Sequence, residues 1–245
     1  MSEQSFLQYL RSLTPTLSVG VTAADILHLE QDLKKLDGTG VEIIHFDIMD
    51  GNFCPEITVG AGFVKKIKTN LIKDVHLMVT NPLSKISQFA DAGADILTVH
   101  YEACPYNIHG VLQEIKKLKN LNDPKRGIVC GIAINPGTPV EFLKSVLDVV
   151  DMITILAVNP GWQDQTFLKS TEKKLKSVIS LINESERDIL VGIDGGITKE
   201  NIVDISHMPA DIFVAGRAVF DGKNPSKNAK NFLDILRKGR IKEIV

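Results

Sequence analysis

Two stretches near the middle of the chain decide its architecture: Ile128-Val129-Cys130-Gly131-Ile132-Ala133-Ile134-Asn135-Pro136-Gly137 and Met152-Ile153-Thr154-Ile155-Leu156-Ala157-Val158-Asn159-Pro160-Gly161. Each is a short apolar run that ends in Asn-Pro-Gly. A run that is apolar throughout, without polar alternation, is the pattern of a strand covered on both faces, as in a parallel sheet. Pro and Gly then break the strand into a loop. The same unit recurs in both directions. Strands are expected at Thr16–Val21, Val41–Asp47, Asp74–Met78, Ile96–His100, Ile128–Ile134, Met152–Ala157, Ile189–Ile193 and Ile212–Ala215. Between them lie stretches with helical spacing. Ala24–Leu36 carries Ile26, Leu29, Leu33 and Leu36 on one stripe, and Val111–Leu118, Phe167–Ile182 and Asn231–Leu236 read similarly. Eight strand–helix units at roughly 29 residues each match the repeat of a (β/α)₈ TIM barrel. The rival is a doubly wound open sheet, but its G-x-G-x-x-G after the first strand is absent. No long polar linker divides the sequence, so residues 1–245 read as one barrel domain with a short helical extension at 1–14.

The 245 residues carry 28 Lys and Arg against 30 Asp and Glu, a formal charge of −2. That balance gives no basic field for a nucleic acid. No uncharged run approaches the roughly 20 apolar residues of a membrane span. Residues 1–4 do not read as a signal peptide. The 3 cysteines, Cys54, Cys104 and Cys130, show no C-x-x-C spacing. A cytoplasmic protein with reduced thiols is expected, with no nucleic acid or membrane partner.

In a barrel, chemistry gathers where the strands end. The second strand leads into Ile44-His45-Phe46-Asp47-Ile48-Met49-Asp50-Gly51, and His45 and Asp47, two apart, share one side of it. The third contributes Val75-His76-Leu77-Met78, and the seventh Ile193-Asp194-Gly195-Gly196. Two imidazoles and two carboxylates at three strand ends suit a divalent metal such as Zn, Fe, Mn or Co. Met49 and Met78 either fill the core or line the same cavity. His100, at the fourth strand end, reads as a ligand, a hydrogen-bond partner or a core residue. Asp194-Gly195-Gly196-Ile197 and Val214-Ala215-Gly216-Arg217-Ala218 offer small residues through which backbone N–H groups can approach a phosphate.

These motifs resemble a family. His45-Phe46-Asp47-Ile48-Met49-Asp50-Gly51-Asn52-Phe53 followed by Pro55, His76-Leu77-Met78-Val79, Asp91-Ala92-Gly93-Ala94-Asp95, Asn159-Pro160-Gly161 and Asp194-Gly195-Gly196-Ile197 resemble, in order, the pattern of ribulose-phosphate 3-epimerases. The resemblance runs from about residue 16 to 222. It implies a (β/α)₈ barrel of the ribulose-phosphate-binding type, with one divalent metal on His45, Asp47, His76 and Asp194. Asp47 and Asp194 would be the acid and base that epimerise ribulose 5-phosphate to xylulose 5-phosphate at carbon 3, through a metal-stabilised ene-diolate. Met49, Met78, Gly161, Gly195, Gly196, Gly216 and Arg217 would meet the sugar phosphate. A homo-oligomer, dimer or larger, is implied as well.

The chain also departs from the family. Val19-Gly20 stands where the family has a Pro-Ser pair, and Leu156 where a third methionine is usual. Trp162-Gln163-Asp164 replaces an aromatic and two glycines, and Arg217 a serine. Those positions keep two other readings open: the same chemistry on another ketose phosphate, such as a hexulose 6-phosphate, or a phosphosugar-binding barrel without turnover.

Overall fold

The computed structural model describes residues 3–241. Eight parallel strands form a closed barrel in sequence order: β1 Thr16–Gly20, β2 Ile43–Met49, β3 Ile72–Met78, β4 Ile96–His100, β5 Val129–Ile134, β6 Met152–Leu156, β7 Leu190–Asp194 and β8 Ile212–Ala215. β8 closes on β1, with Thr16 beside Ile212 and Val19 beside Ala215. The open-sheet rival is thereby excluded. All eight expected strands are present, with ends displaced by up to two residues.

The helices are α1 Glu3–Leu13, α2 Leu29–Lys34, α3 Ala61–Lys66, α4 Ile86–Ala90, α5 Ile108–Lys117, α6 Ser170–Ser185, α7 Ile202–Ile205 and α8 Pro225–Ile241. Two expectations are corrected. The helix expected over Ala24–Leu36 begins only at Leu29. The Asp25 carboxylate accepts the Leu27 N–H at 3.0 Å, a local turn that competes with helix. Ile26 accordingly leaves the buried stripe and is 59 % exposed. The helix expected from Phe167 starts at Ser170, because the Leu168 N–H is bonded to the Ala157 carbonyl at 2.9 Å. Between β5 and β6 the chain forms 3₁₀ turns over Val140–Val146 in place of an α-helix.

Alternation along the strands sorts their side chains into two cores. Outward residues such as Ile44, Phe46, Val75, Leu77, Ile153 and Ile155 pack under the helices. Inward residues form layers. At the bottom Ile43, Ile72, Ile96, Val129, Met152, Leu190 and Ile212 meet Phe6 and Leu10 of α1, which closes that end. The Arg126 guanidinium lies 3.7 Å from the Phe6 ring centre and ties α1 to the barrel. Of the extension expected at 1–14, Met1 and Ser2 lie outside the described residues, as do residues 242–245. One layer up, the interior turns polar: Ser18, His45, Asp74, Thr98 and Thr154 are buried there. Gly131 makes room for Thr98, whose hydroxyl oxygen lies 2.2 Å from where a Cβ would stand. Buried polar groups are costly without partners, so the upper barrel has to be read as a site.

Candidate active site

β2 and β3 run in register, with Asp47 beside His76 and Met49 beside Met78, and β6 sets Leu156 beside Asp194. Alternation therefore turns His45, Asp47, His76 and Asp194 to the interior together. One donor atom from each lies within 4.8 Å of all the others. His45 Nε2 is 3.2 Å from Asp47 Oδ1 and 3.6 Å from Asp194 Oδ2. His76 Nδ1 is 3.0 Å from Asp194 Oδ2 and 3.6 Å from Asp47 Oδ1. Met49, Met78 and Leu156 line the cavity beside them.

The charges support one another. Burial alone pushes His45 down, but the Asp74 and Asp47 carboxylates outweigh it and hold the imidazole well above its ordinary pKa. His76 is raised too, against burial, by Asp194 and Asp47. Burial would lift Asp47, yet His45 and His76 hold it far below the usual carboxylate range. Asp194 is lowered as well: the imidazoles overcome both its burial and the repulsion of Asp47. Before substrate binds, both carboxylates thus favour the ionised form.

These donors fit a divalent cation. Two nitrogens and two oxygens converge, as borderline metals prefer. Each imidazole has its remote nitrogen already engaged. His45 Nδ1 is 2.8 Å from Asp74 Oδ2, which also accepts the Ser18 hydroxyl at 3.1 Å, and His76 Nε2 is 2.9 Å from His100 Nε2. Such outer partners are what hold ligand imidazoles in place.

Asp74 was not among the expected site residues. It stands two positions before His76, so the period of two along β3 turns both side chains inward. His100 resolves as a hydrogen-bond partner: it is 0 % exposed, and burial lowers its pKa to about 4. Its companion Glu102 was likewise missed.

Above the cluster opens a cleft of about 910 Å³. Gly20, Gly161, Gly195, Gly196, Gly216 and Arg217 all line it. Gly196 has φ +70°, and a Cβ there would lie 2.9 Å from the Phe167 backbone, so the turn requires glycine. Gly161, also at φ +70°, lets the β6 loop approach Cys54, which would stand 2.8 Å from a Cβ. Arg217 is exposed at the rim. Gln163, one of the departures, donates to Glu56 at 3.1 Å, joining the loops after β2 and β6. Asp164 takes φ +53°, on the surface beside it.

The model of the "Ribulose-phosphate 3 epimerase family" matches residues 16–220. The chain belongs to that family. It is 38 % identical over 212 residues to a ribulose-phosphate 3-epimerase of Bacillus subtilis (strain 168), covering 85 % of this chain and 93 % of that one. It is 38 % identical over 209 residues to the Escherichia coli (strain K12) protein of the same name, covering 84 % and 88 %. With the chloroplastic ribulose-5-phosphate-3-epimerase of Arabidopsis thaliana it shares 35 % over 217 residues, 87 % and 74 % of the two chains. The family is one of carbohydrate epimerases, in the isomerase class. Among solved structures, 3-hexulose-6-phosphate synthase from Salmonella typhimurium superposes with a TM-score of 0.66 at 15 % identity, covering 91 % of this chain and 99 % of that one. That likeness concerns the barrel alone. No helix among the described residues is long and apolar enough to cross a membrane.

Proposed function

We propose that this protein interconverts ribulose 5-phosphate and xylulose 5-phosphate by inverting carbon 3. The observation that carries the reading is the convergence of Asp47 and Asp194 from strands on different sides of one cavity, with ligand atoms inside the same 4.8 Å cluster. Inverting a carbon beside a ketone needs a proton removed from one face and returned to the other, and two carboxyl groups can share that work. In the substrate complex one of them, ionised, would take the carbon-3 proton, leaving an ene-diolate, and the other, having gained a proton there, would deliver it to the opposite face. The roles exchange in the reverse direction.

His45, Asp47, His76 and Asp194 would hold one divalent metal. When bound, such an ion would act as a Lewis acid toward the ketose oxygens and favour negative charge on them. Asp74 holds the His45 ring while it does so. Met49, Met78 and Leu156 would keep water from the reacting carbon. Gly161, Gly195, Gly196 and Gly216 leave room for the phosphate end, and Arg217 at the rim adds a charge-assisted contact to it.

Gly20 supports a second reading. It lines the cleft but offers the sugar no side-chain contact from β1, which suits a different ketose phosphate, such as a six-carbon one. The proposal includes a homo-oligomer, a cytoplasmic location and residues 1–245 as one barrel domain; the family match over residues 16–220 supports the barrel. Solvent deuterium entering carbon 3 of ribulose 5-phosphate, in protein reconstituted with a single metal, tests the main reading. Exchange only with a hexulose 6-phosphate would move it to the second. Binding of metal and sugar phosphate without exchange would reject both.

A further inference from the structure

The barrel carries a second cavity, at the end opposite the His and Asp cluster. It holds about 340 Å³, at the lower end of the range in which small molecules bind. Its walls come from α1, α6, α8 and the residues that lead into β7 and β8, and it shares no lining residue with the active-site cleft. Part of the lining is apolar: Ile179, Ile182, Met208 and Pro209. The rest carries charge. Among the described residues, the guanidinium groups of Arg11, Arg187 and Arg240 line it together with the carboxylates of Asp188 and Asp211.

These charges are unevenly spent. Asp211, with a side chain 7 % exposed, binds Arg11 Nη1 at 2.8 Å and Arg240 Nη1 at 3.2 Å, and also accepts the Val191 N–H at 2.9 Å. One buried carboxylate thus fixes two guanidinium groups at the wall. Asp188 pairs with Arg11 but is 59 % exposed, and an ion pair in water is worth little. A guanidinium has five N–H donors, and Arg11 and Arg240 each spend two on these partners and Thr14. The Arg187 guanidinium makes no ion pair or hydrogen bond among the described residues. The cavity therefore holds one positive charge in excess, beside an apolar wall.

We propose that this cavity is a second binding site, for a small organic monoanion whose carboxylate meets Arg187 and whose apolar body lies on Ile179, Ile182 and Met208. A guanidinium fork matches a carboxylate with two parallel N–H bonds, and one unit of charge neutralises the excess. A phosphate dianion would overshoot that balance and leave the apolar wall unused. A ligand that binds only the folded chain raises its stability, so the occupied site would hold α6 to the strand ends beneath it. The inference is independent of the reaction proposed for the cleft.

Methionine methyl groups report on the two places separately, because Met208 lines this cavity while Met49 and Met78 line the cleft. The test titrates full-length protein, labelled with ¹³C at the methionine methyls, with hexanoate. The Met208 signal should move and saturate on its own curve, with a Kd on the order of 1 mM. Hexan-1-ol, the same chain without the charge, should bind at least about tenfold more weakly. Arg187→Ala should weaken hexanoate binding by about 10–100-fold, the loss of one charge-assisted contact, and Arg187→Lys should recover part of that. Three results overturn the proposal: a Met208 signal that stays in place up to about 20 mM hexanoate, an equal response to hexan-1-ol, or unchanged affinity in Arg187→Ala. Movement of Met208 only in step with Met49 and Met78 would mark binding in the cleft and overturn it as well. Should Arg187→Ala not fold, the comparison of hexanoate with hexan-1-ol decides alone.

Discussion

His76 and Asp194 stand 118 positions apart in sequence, yet Nδ1 of the one lies 3.0 Å from Oδ2 of the other. Barrel closure creates this contact across the interior, between strands that are not neighbours. The site therefore exists only in the closed fold, and its chemistry can be tested apart from its stability.

Asp47→Asn and Asp194→Asn should each leave the circular dichroism spectrum of the barrel intact. Each should lower carbon-3 exchange by about 10²–10⁴-fold, the usual contribution of a positioned proton-transfer group. Near-normal exchange in either variant would remove the two-carboxylate mechanism.

Metal binding should strengthen as pH rises. His45 and His76 are both held above the ordinary imidazole value of 6.5, and each must lose a proton from the nitrogen facing the cluster before it can be a ligand. Co²⁺ titrations at stepped pH should show proton release on binding and weaker affinity toward acid.

The metal-free protein should behave in the opposite way. A group whose folded pKa is raised stabilises fully below its unfolded pKa, and that contribution fades as pH climbs through the folded value. Thermal melts of chelator-treated protein should therefore fall as pH rises from about 6.5 upward, over the range set by these imidazoles. A melting temperature rising steadily through that range would contradict the charge assignment.

The floor of the barrel can be probed at α1. Phe6→Ala removes a side chain that is 4 % exposed and the partner of Arg126. The cost should be about 3–5 kcal/mol in urea unfolding, as for other large-to-small core changes. Carbon-3 exchange by the fraction still folded should be little altered, because Phe6 lies in the bottom layer.

Gly196→Ala combines a positive φ with a Cβ only 2.9 Å from backbone. Strain of this kind is worth about 1–3 kcal/mol, and a backbone neighbour cannot swing aside. Urea unfolding should show that loss.

Much of this was legible in the sequence because it depends on local period. Ile128–Ile134 and Met152–Ala157 are strands by composition alone, and their neighbours in the barrel are the next runs along the chain. His45 and Asp47 share a face by their spacing, and His76 and Asp194 enter because strand ends converge in this architecture. What was hidden depends on distance. Nothing near Asp74 in the sequence says that its carboxylate will meet His45, 29 positions away. Nothing near Glu102 says that it will accept from Asn135 and Thr138. The shortened helix at Leu29 was missed for a different reason: a turn in which the Asp25 carboxylate bonds the Leu27 N–H and the His28 ring replaces the first part of a regular apolar stripe.

Strand pairing in this barrel is also a safeguard for chemistry. If β2 slid by one residue against β3, Ile44, Phe46 and Ile48 would face inward, and His45 and Asp47 would be thrown outward under the helices. A mispaired molecule would bury two ionisable groups in oil and hold no catalyst, so errors in assembly are penalised in energy and silent in activity at once.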